Sequence, residues 1–184
     1  MDLLLIAVLA VVLGLGAFVT LRVRGQGKKA PLALAREPTL GTLKPDDVVI
    51  HFERDYVVAS VELFDEHGQR WTHCHLQGGE SAELLRVEPG DELQAVMLRR
   101  CAELPFSEPP PEQLQRGDER FGLTHWGKAK VQRSGSDEAL CCRQFRYESA
   151  MQKVLLVLVW EGAQREFWCG EVVPVGSLEF LPGA

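Results

Sequence analysis

The run His73-Cys74-His75 carries the residue types that bind metal ions. Alternate side chains of a β-strand point to one face, so the two imidazoles could approach the same ion. A zinc site needs four protein ligands, or three and a water, and the other histidines and cysteines show no ligand spacing. His73 and His75 are therefore the only candidate metal ligands, and we favour their interpretation as half-exposed strand residues that bind no metal.

The sequence contains no nucleophile elbow, no phosphate-binding P-loop and no zinc-protease helix signature. General acid–base catalysis needs two carboxylates in one cleft, and spacing along the chain does not pair them. We predict a solvated acidic face for the scattered carboxylates, which include Glu62, Asp65, Glu66, Glu83 and Glu88. The sequence therefore assigns no catalytic residue and no cofactor.

The five cysteines form a poor disulfide framework, because their number is odd and no C-x-x-C pair occurs. Free and mostly buried thiols in a reducing compartment fit this pattern better. Cys141 and Cys142 are adjacent, so in a strand they point to opposite faces and are expected to act as small apolar side chains.

The charge of the chain is uneven. Residues 30–184 carry 16 basic and 25 acidic side chains, a net charge of −9. A nucleic-acid-binding protein normally presents a basic face to the phosphate backbone, so this composition argues against a nucleic-acid partner.

The N-terminal run Leu3 to Leu21 contains no charged residue. Its 19 residues would rise about 29 Å as a helix, which matches the hydrocarbon thickness of a bilayer. The pattern predicts a transmembrane anchor helix over residues 1–21. A cleaved secretory signal is the rival, but it would need basic residues before the apolar run, where only Asp2 is charged.

The basic residues follow the apolar run, at Arg22, Arg24, Lys28 and Lys29. Positive flanks stay on the cytoplasmic side, so we expect a single-pass inner-membrane protein with a cytoplasmic C-terminal domain. Small residues within the run could pair two such helices in a homodimer, and these are Ala10, Gly14, Gly16 and Ala17. Glycine and alanine are also simply common in membrane spans.

Residues 22–43 have the basic and proline-containing composition of a flexible linker. From residue 44 to residue 184, alternating apolar segments and turn residues predict an antiparallel β-rich domain, built as a two-meander sandwich or barrel-like sheet. A proline-rich segment separates two approximate halves, 44–103 and 112–184, which either share an ancient duplication or are simply two β-meanders. The run Val154 to Trp160 is apolar on both faces and is predicted to lie at the centre of the sheet.

Several short motifs resemble an uncharacterised bacterial family that carries domain of unknown function 4178. In the first half they are Pro45-Asp46-Asp47-Val48, Tyr56-Val57-Val58, and Gly68 shortly before Trp71 with His75-Leu76. In the second half they are Leu123-Thr124, Trp126-Gly127-Lys128-Ala129, Tyr147-Glu148, Trp160, Glu171 and Leu181-Pro182-Gly183. The similarity covers residues 44–184, and the family usually has Gly-Asp where this chain has Asp46-Asp47. The resemblance implies a β-rich domain often found near membrane proteins, and it supplies no activity and no catalytic residues.

These observations favour a membrane-anchored, non-enzymatic interaction module at the inner membrane surface, which binds an unknown protein or lipid partner. A membrane-bound enzyme of unrecognised type and a cofactor- or metal-binding β-domain are the alternatives. Most of the four tryptophans should lie in the core, and any exposed one would mark a binding surface. They are Trp71, Trp126, Trp160 and Trp168.

Overall fold

The computed structural model describes residues 36–78 and 82–183, and this part of the chain is built almost entirely from strands. The strands are β1 Val48–His51, β2 Arg54–Glu66, β3 Gln69–Gln77, β4 Glu83–Glu88, β5 Gln94–Arg100, β6 Gln113–Arg116, β7 Glu119–Arg133, β8 Ala139–Ser149, β9 Lys153–Trp160, β10 Arg165–Val173 and β11 Leu178–Leu181. Single turns of 3-10 helix occur at Leu40–Thr42 and Val175–Ser177.

Eight strands close into a ring. The pairing runs from β2 through β3, β4, β5, β10, β9 and β8 to β7, and every neighbouring pair is antiparallel. The last residues of β2 also pair with the end of β7, where Glu62 lies opposite Arg133 and Asp65 opposite Lys130. β1 and β11 extend the sheet beyond β2, and β6 extends it beyond β7. The ring corresponds to the barrel-like alternative of the predicted β-rich domain.

Strand β9 shows why the ring needs an apolar layer on each side. Its six central residues are all buried. Val154, Leu156 and Leu158 point into the ring, whereas Leu155, Val157 and Val159 pack in a second cluster outside it. Successive side chains of a strand point to opposite faces, so a continuous apolar run must be covered twice. The prediction that this run is a strand covered on both faces is therefore confirmed. No strand is central in a closed ring, and β9 lies between β10 and β8.

Two separate layers cover the outside of the ring. The first lies over β2 to β5 and includes Leu40, Val49 and Leu178 from the segments that flank the ring. The second lies over β7 to β10, where Phe106 and Leu114 pack on the outward side chains. β5 and β10 are neighbours in the ring, so the two outer layers meet along this pair of strands. We call that boundary the seam.

The predicted fold class needs correction in its helical part. It placed a transmembrane helix before the β-rich domain, but none of the helices in residues 36–78 and 82–183 is long and apolar enough to cross a membrane. In these residues the backbone hydrogen bonds are made between strands instead. The predicted anchor over residues 1–21, its small-residue face and most of the predicted linker lie outside the described residues.

Candidate functional site

His73 and His75 lie on the same face of β3, as the strand pattern predicts, but they do not converge on one point. Nε2 of His75 lies 3.0 Å from a carboxylate oxygen of Glu62. Nε2 of His73 lies 3.2 Å from Nη1 of Arg86. A guanidinium beside an imidazole opposes a bound cation, and the described part of the chain holds no group of three histidine, cysteine or acidic residues arranged for a metal.

His73 is fully buried, so its prediction as a half-exposed residue is wrong. Burial, with smaller contributions from Arg86 and His75, holds the pKa of His73 well below its ordinary value of 6.5. The ring is therefore neutral at neutral pH. Since Arg86 can only donate, Nε2 of His73 accepts and the proton sits on Nδ1, which has no hydrogen-bond partner among the described residues.

The predicted solvated acidic face is also wrong for several of its members. Glu62 and Glu83 are only 3% and 4% exposed. Nε of Arg133 donates to Glu62 at 2.7 Å, across the β2–β7 contact that closes the ring. Burial would raise the pKa of Glu62, but the bonds from His75 and Arg133 outweigh it and lower that pKa below 4.5. These carboxylates are structural ion-pair partners.

One end of the ring opens into a small cavity of about 260 Å³, which we call the mouth. Arg86 and Arg146 line it, and both guanidinium groups donate to the carboxylate of Glu88. Nη1 of Arg86 also donates to Oε1 of Gln144 at 3.0 Å. The guanidinium carbon of Arg86 lies 4.9 Å from the centre of the Trp71 ring. Together with His73, these side chains give Arg86 four neighbours, and Arg86 is only 4% exposed.

Glu66 continues this network at the rim of the mouth. Its carboxylate accepts from Nε2 of Gln144 at 3.1 Å and lies 3.0 Å from Nε2 of His125. It occupies the space beside Gly127, where any Cβ atom would overlap it. Arg146 reaches Glu148 at 2.8 Å on the other side. The network links β2, β3, β4, β7 and β8 through side chains.

The larger cavity, about 480 Å³, is a groove on the outer face of the sheet at the seam. We call it the seam groove. It forms there because the first outer layer ends near His51 and the second begins near Phe121. Met97 of β5 lies on its floor. At Gly170 on β10 the backbone of β5 comes so close that a side chain would collide with the carbonyl of Met97.

The seam groove is more basic than the domain around it. Its basic lining residues are Arg99, Arg100, Arg116 and Lys153, against the acidic Glu83 and Glu171. Arg99 pairs with Glu83 at 3.2 Å and Lys153 pairs with Glu119 at 3.0 Å. Arg116 makes no ion pair within 4 Å among residues 36–78 and 82–183, although its charge acts on Glu119, which lies opposite it on β7. The groove therefore offers one cationic group that is outside any close ion pair.

His51 adds a polar group to one wall of the seam groove. Its Nε2 atom is buried and, in the described part of the chain, has no hydrogen-bond partner. Burial lowers the pKa of His51 below 6.5, against the opposing effect of Glu171 and Glu83. A buried polar atom without a partner costs free energy, so a ligand atom that bonded to it would gain that amount.

The cysteines follow the prediction only in part. Cys101 and Cys169 are joined as a disulfide, with Cα atoms 6.1 Å apart at the edge of the seam groove. They are 68 residues apart, so no local spacing could reveal the pair. Cys74 and Cys142 are buried thiols as predicted, and burial raises the pKa of each to about 12. Cys141 is free and half-buried.

The sequence model of one family matches residues 44–175, which is most of the chain and includes every strand of the ring. It is described as a domain of unknown function, DUF4178. The chain belongs to this family. The resemblance seen in the sequence is therefore confirmed. No curated protein and no solved structure matches the chain.

Asp47, within the matched residues, contacts Gly183, which lies beyond them. The carboxylate of Asp47 accepts from the backbone N–H of Lys44 at 2.8 Å and from that of Gly183 at 3.2 Å. Asp46 has φ +74°, in the left-handed region that favours glycine. This explains why glycine suits the position that Asp46 occupies here.

Some candidate residues escaped the sequence analysis. Arg86 lies on β4 and Arg146 on β8. The sequence pattern does not show that these two strands bring both arginines to the carboxylate of Glu88. A signal did exist, because Arg86 interrupts the apolar run Leu84 to Val87. Among the tryptophans, Trp71 and Trp168 are buried as expected, whereas Trp126 is 64% exposed on β7.

Proposed function

We propose that this domain is a non-enzymatic binding module that holds an acidic, extended segment of a protein partner in the seam groove. The observation that carries the proposal is the local charge. The groove gathers four basic side chains and two acidic ones within a domain of net charge −9. Opposite potentials on two surfaces favour their encounter and exclude like-charged competitors.

The lining of the groove comes from both halves of the ring and from the two outer layers, between His51 and Arg116. A partner segment bound there would therefore contact both halves. Arg116 supplies a cation outside any close ion pair, and the Nε2 atom of His51, which has no hydrogen-bond partner among the described residues, supplies a second polar contact. A bound carboxylate would pair with the former without displacing an existing ion pair.

An enzymatic role has less support from the geometry. The described residues bring no nucleophile to a base in either cavity, and the histidines inside the ring are bonded to Glu62 and Arg86. The inner-membrane localisation remains a prediction from the basic residues after Leu21.

The test is binding of a fluorescent acidic peptide of about eight residues, alternating glutamate and serine, to the full-length chain. We expect saturable binding that weakens at least about tenfold in Arg116→Glu and falls with added salt. Arg120→Glu is the matched control, because it makes the same charge change on the neighbouring strand outside the groove. A peptide with glutamine in place of glutamate should not bind.

Equal weakening by Arg116→Glu and Arg120→Glu would contradict the proposal, since it would show attraction to the surface in general. Absence of saturable binding up to millimolar peptide would contradict it as well. If Arg116→Glu failed to fold, Arg116→Gln removes the charge with less disturbance and serves the same comparison.

A further inference from the structure

We propose that the mouth of the ring is a second, independent binding site, and that it takes a small organic carboxylate. The mouth and the seam groove share no lining residue. The inference is therefore independent of the proposed function, and each can be tested separately.

The first observation is the set of donors that the mouth leaves unused. Arg86 donates through Nε to Glu88 and through Nη1 to Gln144, while Nη1 also faces His73. Arg146 donates through Nε to Glu148 and through Nη1 to Glu88. No hydrogen bond to any described residue uses Nη2 of either arginine. A guanidinium has five N–H donors, so two remain on each arginine.

Trp71 supplies one more donor. Its Nε1–H is buried and has no hydrogen-bond partner within the described ranges, although the residue lines the mouth. Its ring is stacked on Phe64, with centroids 5.5 Å apart, and covered by Arg86. An indole donor normally finds a partner when it is buried, so the N–H of Trp71 can donate to an acceptor atom that reaches it.

The unused N–H donors around the mouth, and not its net charge, select the acceptor. Two cations and the single carboxylate of Glu88 line it together with His125. The further carboxylates nearby, Glu66 and Glu148, are already bonded to lining residues. Glu88 itself shows that a carboxylate fits between the two guanidinium groups. Paired N–H donors of arginine match the two oxygens of a carboxylate.

The size of the mouth limits the ligand. Pockets for drug-sized molecules hold roughly 300–1,000 Å³, and this cavity of about 260 Å³ lies below that range. Pro89 and the Trp71 edge form its apolar wall. A carboxylate on a short apolar or aromatic body satisfies both the donors and the wall.

The experiment is a titration of the full-length, ¹⁵N-labelled chain with benzoate, followed through the indole N–H signals. The signal of Trp71, assigned with Trp71→Phe, should move downfield and saturate as its N–H gains an acceptor. Benzamide has the same shape without the charge and should bind at least about tenfold more weakly. Calorimetry of the same titration gives the stoichiometry.

Arg146→Gln tests the role of the arginines, and Arg143→Gln is its control. Both residues lie on β8 and both pair with a glutamate, but Arg143 faces out of the ring toward Glu108. We expect Arg146→Gln to weaken benzoate at least about tenfold and Arg143→Gln to leave it unchanged. Arg146→Lys keeps the positive charge but loses the paired N–H donors of the guanidinium, so it should also weaken benzoate binding.

A Trp71 signal that stays fixed up to roughly 20 mM benzoate, well above the weak affinities expected of so small a ligand, would overturn the inference. Equal effects of Arg146→Gln and Arg143→Gln would overturn it too. Binding of benzoate without binding of the acidic peptide would support the site at the mouth and contradict only the proposed peptide binding in the seam groove.

Discussion

Gly127 leaves the space that the carboxylate of Glu66 occupies. A Cβ atom at position 127 would overlap both carboxylate oxygens of Glu66. The side chain of Glu66 would then have to swing away and lose its bonds to Gln144 and His125. The side chain of Glu66, on β2, therefore requires glycine at position 127 of the Trp-Gly-Lys-Ala motif of β7.

This relationship predicts the effect of Gly127→Ala. The free energy of unfolding should fall by about 0.5–1.5 kcal/mol, because Glu66 and Gln144 lose a partly buried hydrogen bond. Gly122→Ala is the control on the same strand, since a Cβ there meets no atom within 4 Å. Denaturant unfolding of both variants measures the difference. Equal stability of the two would show that Glu66 relocates at no cost.

Asp46→Gly should stabilise the protein. Asp46 has φ +74°, a conformation that a residue with a side chain adopts at a cost and glycine adopts freely. The backbone bond from Asp46 N–H to the carbonyl of Val58, 2.8 Å long, does not depend on the side chain. We expect a gain of up to about 1 kcal/mol in the free energy of unfolding.

Asp55→Gly provides the comparison for this substitution. Asp55 lies in β2 with extended backbone, so glycine there should destabilise the strand by about 0.5–1 kcal/mol. Thermal melts of both variants would decide the question. A loss of stability in Asp46→Gly would mean that the aspartate side chain contributes more than its backbone strain costs.

The buried His73 predicts a loss of stability in mild acid. Its pKa in the folded protein lies well below 6.5, so the unfolded chain takes up the proton first as the pH falls. The free energy of unfolding should therefore decrease from about pH 6.5 downward, by at most about 1.4 kcal/mol per pH unit. His51, whose pKa is also lowered, adds to the same slope.

Glu62 and Glu88 affect the free energy of unfolding at lower pH than the histidines do. The pKa values of Glu62 and Glu88 lie below 4.5 in the folded protein, so their stabilisation is present above that pH and is lost beneath it. The interval between pH 6.5 and 4.5 thus reports on the histidines. His73→Gln should flatten the slope there, because glutamine can accept from Arg86 and does not titrate in this range.

The control for His73→Gln is His67→Gln, which removes an exposed histidine in the β2–β3 turn. Urea unfolding at several pH values between 4.5 and 7 measures the slope for each protein. A slope in His73→Gln as steep as that of the unchanged chain would refute the assignment to His73.

The strands differ in how far local sequence predicted them. The run Val154 to Trp160 predicted β9 to within one residue of its observed bounds, because its side chains are apolar throughout. β6 and β11 were missed. β6 has the sequence Gln-Leu-Gln-Arg and is a strand only because β7 extends far enough to pair with it. Such edge strands depend on a partner more than on their own residues.

The sequence by itself determined the β-rich class, the membership of a family over residues 44–175, and the doubly buried strand β9. Each depends on the order of side chains along one segment. Tertiary structure alone decided the closure of the ring, the Cys101–Cys169 pair, the seam groove and the shared partner of Arg86 and Arg146. These depend on which strands become neighbours. Antiparallel pairing between distant segments is set by the packing of the whole sheet, and no local period records it.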